Sequence, residues 1–227
     1  MKKEKSAAVL FSGGKDSCLA LFKAKKQGYN IKYLLSIIPS SYDSYMYHKP
    51  DLKLLKMQAK MLGIPLITQK SSAGKEEELK DLEALIKKAK LKVDYIIIGG
   101  IASNYQAERI KKIAEDTGLK VIAPLWKFSS KKLWQELLRN KFDVIITKIS
   151  CEGLGKEWLG KIVHKKEFFE LEKLSKKYKF DLSFEGGDAE TAVLYCPLFK
   201  QKIDIKFKTR SEGKYRHLLE IKEIKVS

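Results

Sequence analysis

The chain has 227 residues, with 46 Lys or Arg against 28 Asp or Glu, a formal charge of +18, and 44% hydrophobic residues. That length carries one good α/β core, or a core plus a small second domain, and the composition excludes a disordered tail or a repeat fibre. No apolar run approaches the roughly 20 residues that span a bilayer, so no membrane segment is expected, and Cys18, Cys151 and Cys196 form no C-x-x-C pair, which argues against a disulfide framework and fits a reducing cytoplasm.

Residues 7–11, Ala-Ala-Val-Leu-Phe, read as a short buried strand, followed by the glycine turn Ser12-Gly13-Gly14-Lys15-Asp16-Ser17 and a helix that Gly28 can end. A second strand is expected over Lys32 to Ile38, then a polar, proline-marked loop that contains Tyr45, Tyr47 and His48. Apolar spacing at Leu52, Leu55, Ala59 and Leu62 predicts a helix stopped by Gly63-Ile64-Pro65. The alternation continues with a strand at residues 64–70, a helix with early acids and late lysines at 76–90, and a buried parallel strand at 93–100. Tyr105 to Thr117 and Lys120 to Ala123 add another helix and strand. Strands alternating with amphipathic helices predict the α/β class, a mostly parallel sheet with helices on both faces.

From Ser129 a serine-capped helix, the strand 142–150 and the helix 167–178 follow, then two alternating strands around Ser211-Glu212-Gly213-Lys214. We therefore divide the chain into residues 1–127, an α/β domain, and 128–227, a smaller C-terminal α/β domain. The strand at 142–150 could extend the first sheet or begin the second domain. The basic excess admits nucleic acid, an acidic protein or an anionic cofactor, and its spread over many lysine runs also suits solvated helix faces.

In the turn after the first strand, Gly13 and Gly14 let backbone N–H groups approach an anion, and Ser12 and Ser17 can donate hydroxyl hydrogen bonds. Lys15 adds positive charge, and Asp16 can coordinate magnesium or cap the helix beginning near Ser17. Phosphate is the natural ligand. The spacing is neither the G-x-x-x-x-G-K-[ST] loop nor the G-x-G-x-x-G fingerprint. It resembles the PP-loop of ATP pyrophosphatases, S-G-G-x-D-S, which implies ATP and Mg2+ and cleavage between the α and β phosphates.

Four further segments resemble, in order and spacing, the diphthine–ammonia ligase family. They are Ser44-Tyr45-Met46-Tyr47-His48, the stretch from Gly99 to Arg109, Gly153-Leu154 with Trp158-Leu159-Gly160-Lys161, and Glu185-Gly186-Gly187-Asp188-Ala189-Glu190-Thr191. The resemblance implies ATP-dependent amidation of the diphthine carboxylate on translation elongation factor 2, with free ammonium as the nitrogen source and AMP and pyrophosphate as products. It also implies a homodimer.

His48 could contact the substrate carboxylate or the adenosine, the alternative being a surface loop position beside Lys49 and Pro50. Gly99, Tyr105, Gln106 and Arg109 enter a loop and first helical turn at the carboxyl edge of a parallel sheet, where ligands of such folds sit. Arg109 could neutralise phosphate or carboxylate, or form a helix-surface pair with Glu108 or Glu115. Glu185, Asp188 and Glu190 suit cation binding, the quaternary ammonium of diphthine, or ammonium, or else make an acidic turn. In this segment Phe184 stands where the family pattern has Gly, and Asp188 where it has Glu. Trp158 fits either a core or a ligand face, and Cys151 reads as a small buried residue rather than a nucleophile. Two rivals stay open, a tRNA-modifying PP-loop enzyme with direct RNA binding and a non-catalytic nucleotide-dependent module that binds a translation factor.

Overall fold

A computed structural model describes residues 4–39, 51–71, 75–90, 92–100 and 104–227. The chain divides into two compact units, the first made of residues 1–12 and 16–127 and the second of residues 13–15 and 128–227. The expected loop with Ser44, Tyr45, Tyr47 and His48, together with Ser103, lies outside the described residues.

The first unit contains β1 (Lys5–Leu10), α1 (Lys15–Lys26, its first residue in the other unit), β2 (Tyr29–Pro39), α2 (Leu52–Leu62), β3 (Leu66–Ser71), α3 (Lys75–Lys90), β4 (Tyr95–Ile97), α4 (Asn104–Asp116) and β5 (Lys120–Ile122). Its five strands are all parallel, in the order β3-β2-β1-β4-β5. Helices can cover both faces only if the strands are apolar on both. Ala7, Ala8 and Val9 of β1 and Ile96 and Ile97 of β4 meet that demand, with no solvent exposure at all. Ala8, Leu35, Ile37, Leu82, Leu85, Ile86, Ile96 and Ile98 centre one core cluster, joined by Ala114 and Leu119 from the last βα unit.

Helix α2 stops at Gly63, as the sequence predicts. Asp51 accepts a hydrogen bond from the Leu54 N–H at 2.9 Å as N-cap of α2, and Gly63 ends that helix in the left-handed region at φ 65°. Leu52, expected on the apolar face of α2, is instead among the exposed large apolar residues, and Gln58 is buried in that helix.

The second unit is built on an antiparallel sheet of order β7-β6-β9-β8, from β6 (Asp143–Ile149), β7 (Ala189–Tyr195), β8 (Ile203–Ser211) and β9 (His217–Val226). The strand whose place was open, 142–150, therefore belongs to this sheet. Helices α5 (Ser130–Arg139) and α6 (Lys165–Tyr178) accompany it, and Ser129 caps α5 by accepting from the Lys132 N–H. Trp134, fully buried, centres the aromatic cluster, with ring centroids 6.0 Å from Phe168 and 6.2 Å from Phe184. Trp158 is also a core residue, 5% exposed. Among the described residues no helix is long and apolar enough to cross a membrane.

Candidate active site

Strand order alone selects a position in the first unit. β1 is followed in space by β2 on one side and β4 on the other, so connections leaving the carboxyl ends of β1 and β4 turn in opposite directions and leave a crevice. The Ser12–Ser17 turn leaves β1 there, and Gly99 follows β4. The two backbones touch. A Cβ on Gly99 would lie 2.8 Å from the Ser17 N and 2.9 Å from the Asp16 carbonyl carbon, so only glycine fits.

Gly13 adopts φ 76°, the left-handed turn that the loop requires. Helix α1 starts at Lys15, two residues earlier than expected, so Asp16 sits inside the first helical turn instead of capping it. There its carboxylate is favoured by the helix dipole. Ser17 is 5% exposed, and its Oγ accepts from the Ser12 N–H at 3.3 Å and lies 3.2 Å from the Ser12 Oγ. The two hydroxyls expected to meet a ligand thus meet each other in this structure.

The middle of the loop is tied into the second unit. The Lys15 N–H donates to the Thr191 Oγ1 at 3.2 Å, and the Val193 N–H donates to the Gly13 carbonyl at 3.0 Å. Lys15 is 2% exposed, and its ammonium donates to the Ser183 carbonyl and stands 5.5 Å from the centroid of the Phe184 ring. An ammonium has three donors, so holding Ser183 is compatible with binding an anion as well.

The segment that receives Lys15 is itself well braced. The indole N–H of Trp134 donates to the Leu182 carbonyl at 2.8 Å. Asp181 accepts from the Ser183 N–H at 2.7 Å, the Ser183 Oγ at 2.9 Å and the Ser130 Oγ at 3.1 Å. Desolvation works against ionisation of Asp181, but those hydrogen bonds and the Lys15 charge outweigh it and hold the carboxyl below its ordinary range. Phe184 has φ 63°, a left-handed conformation that costs a bulky residue about 1–2 kcal/mol.

In the first unit these contacts put a helix start beside a glycine-only approach, and in the second they bury Lys15. Residues 5–121 match the family model of the diphthamide synthase N-terminal domain, and residues 129–226 match that of the diphthamide synthase C-terminal domain. The chain belongs to the diphthamide synthase family. The diphthine–ammonia ligase of Bos taurus is 34% identical over 218 residues, covering 86% of this chain and 81% of that protein. That of Danio rerio is 32% identical over 216 residues, covering 86% and 84%. Among solved structures, a predicted subunit of tRNA methyltransferase from Methanocaldococcus jannaschii superposes with a TM-score of 0.47 at 21% identity, covering 85% of this chain and 98% of that one.

The left-handed backbone of Phe184 stands out within this segment. The backbone shape is the one glycine adopts freely, and this chain reaches it with a ring that packs on Trp134 and beside Lys15.

The three carboxylates of the acidic turn differ in their surroundings. Glu185 is exposed, Asp188 accepts from the Asp181 N–H at 2.9 Å, and Glu190 pairs with Lys148 at 2.7 Å. Among the described residues no group of three or more His, Cys, Asp or Glu is arranged to hold a metal. Arg109 lies partly buried in α4, while Glu115, one of its expected partners, sits 3.7 Å from Lys111. Tyr105 and Gln106 fall in the first turn of α4, as read from the sequence, but their side chains lie outside the described set. Cys151 is buried, and burial first, then the Asp188 charge, pushes its thiol up to about 11, which suits a packing role.

Ser183, Thr191 and Val193, the residues that hold the loop, were not expected. Thr191 closed the acidic motif in the sequence and was read only as its end. The apolar run Ala192-Val193-Leu194 carried a strand signal that the carboxylates beside it obscured.

Proposed function

We propose that this protein is a diphthine–ammonia ligase, using ATP and ammonium to amidate the carboxylate of diphthine on translation elongation factor 2. The observation that carries this reading is the complete Ser-Gly-Gly-Lys-Asp-Ser turn at the crevice beside β1, in a chain whose two halves both match the family. The donors present suit a polyphosphate: first-turn N–H groups of α1, the Lys15 ammonium and the hydroxyls of Ser12 and Ser17. Asp16, the one carboxylate in the turn, would hold Mg2+ together with phosphate oxygens, the usual economy of ligands for that ion. The bound metal would neutralise charge on the phosphates.

A carboxylate is a poor acyl donor because hydroxide leaves badly. The reaction we infer joins a carboxylate oxygen of diphthine to the α-phosphorus and releases pyrophosphate. Ammonia then adds to the acyl carbon, loses a proton, and expels AMP. Lys15 would stabilise charge on the phosphate oxygens, and its burial strengthens that interaction because little water screens it. Arg109 and His48 are the candidates for the substrate carboxylate. Glu185 and Asp188 are the candidates for ammonium, while Glu190 would act through its pair with Lys148.

The test incubates the protein with ATP, Mg2+, ammonium and elongation factor 2 isolated at the diphthine stage. The modified peptide should lose the mass difference between a hydroxyl and an amino group, with one AMP released per amide. Replacing Lys15 by Ala should lower the rate by about 100-fold or more. AMP release that needs tRNA and leaves the factor unchanged would move the assignment to RNA modification, and nucleotide binding without turnover would make the protein a sensor.

A further inference from the structure

Helix α6 turns an unusual face to solvent. Its exposed residues are Lys165, Lys166, Phe169, Lys173, Lys176 and Lys177. At about 100° per residue these fall within roughly 120° of the helix circumference and about 18 Å of its length. Phe169 is 57% exposed, more than any other large apolar side chain among the described residues, and the Lys173 ammonium lies 4.4 Å from its ring centroid.

The helix also carries Glu167, Glu170 and Glu172, yet none of them neutralises this arc. Glu167 and Glu170 face Lys161 at 3.7 and 3.8 Å, and Glu172 faces Lys131 at 3.2 Å. Lysines from outside the helix therefore occupy its carboxylates, and no ion pair among the described residues engages the five lysines of the arc. The β8–β9 hairpin is the contrast: there Lys206 and Lys225 both meet Glu223, and Arg210 meets Glu212 and Glu220. The basic residues of that hairpin have acidic partners, and those of the α6 arc have none among the ion pairs of the described residues.

We infer that this face binds single-stranded RNA, with the lysines on successive phosphates and Phe169 under an unstacked base. A protein partner is disfavoured, because protein interfaces deplete lysine at their centres and need several apolar anchors, whereas this face has one ring. A lipid surface would need a broad apolar face, and the apolar residues Phe168 and Leu171 of α6 are buried in the core. Duplexes hide their bases, and the arc has no Arg to read a groove edge. Single-stranded segments with splayed bases are the usual protein-binding form of RNA, and one aromatic ring among phosphate-binding lysines is the minimal platform for them.

The experiment is fluorescence anisotropy with an end-labelled single-stranded RNA of mixed sequence, without ATP or elongation factor, so that its outcome is independent of ligase activity. The triple variant Lys166→Glu, Lys173→Glu, Lys177→Glu should raise Kd by at least about tenfold at low salt and flatten the slope of log K against log salt by about 2. Phe169→Ala should weaken binding by about fivefold or more with the slope unchanged. The control Lys53→Glu, Lys56→Glu, Lys60→Glu imposes the same charge change on exposed positions of α2 and should cost much less. Equal losses in both triple variants would reduce the effect to net charge and overturn the proposal. So would absence of RNA binding, tighter binding of duplex than of single strand, or displacement of RNA by phosphatidylserine vesicles or polyglutamate at lower concentration than by unlabelled RNA. Circular dichroism and thermal midpoints check that every variant is folded.

Discussion

Position 184 shows how one residue can satisfy packing and violate backbone preference together. Its φ of 63° favours glycine, yet the Phe184 ring is 3% exposed and packs on Trp134. Replacing Phe184 by Gly should recover about 1–2 kcal/mol of backbone strain and lose about 3–5 kcal/mol of buried aromatic contact. Urea unfolding should therefore show a net loss of stability, and an unchanged or raised midpoint would mean that the ring contributes little.

Asp181 yields a pH signature. A carboxyl held below its ordinary value of 3.8 contributes stability that is complete above that value and is lost as pH falls through the lower folded-state value. Asp181→Asn cannot titrate, so the gap in thermal midpoint between wild type and variant should shrink as the buffer is taken from pH 5 to pH 3. A gap that stays constant across that interval would remove Asp181 as the titrating group.

At the scale of elements, the crevice beside β1 depends on a helix start and a glycine drawn from different parts of the first unit. Gly99→Ala would place a methyl group against backbone atoms of Asp16 and Ser17, which cannot swing aside as a side chain would. We expect a cost of about 1–3 kcal/mol and a raised KM for ATP, because the turn must shift to admit the methyl group. Wild-type stability and KM in that variant would show that the two backbones can separate freely. The elements themselves were largely legible, since hydrophobic period, the Ser129 cap and the Gly63 stop each act within a few residues. Strand β7 was missed because carboxylates at its start looked like a turn, and the α1 start was misplaced because a cap and a first-turn acid look alike in sequence.

Across the whole molecule, what could not be read was which distant residues would meet. Ser183 and Thr191 hold Lys15 from 168 and 176 positions away, and no periodicity encodes such a pairing. The second unit is consequently discontinuous in sequence, with residues 13–15 as a part of it. A fragment of residues 128–227 lacks the Gly13 carbonyl that accepts from the Val193 N–H. Its β7 amides should exchange hydrogen faster than those of the full chain, and equal protection would make the N-terminal insertion dispensable.

That discontinuity also orders events in time. On a translating ribosome the Ser12–Ser17 turn emerges early, but the carbonyl and hydroxyl that fix Lys15 are synthesised 168 and 176 residues later. At about 5–20 residues per second, the nascent chain carries an unfinished loop for roughly 8–35 s. Throughout that interval the turn lacks both contacts, and it gains them only after residues 183 and 191 have been made.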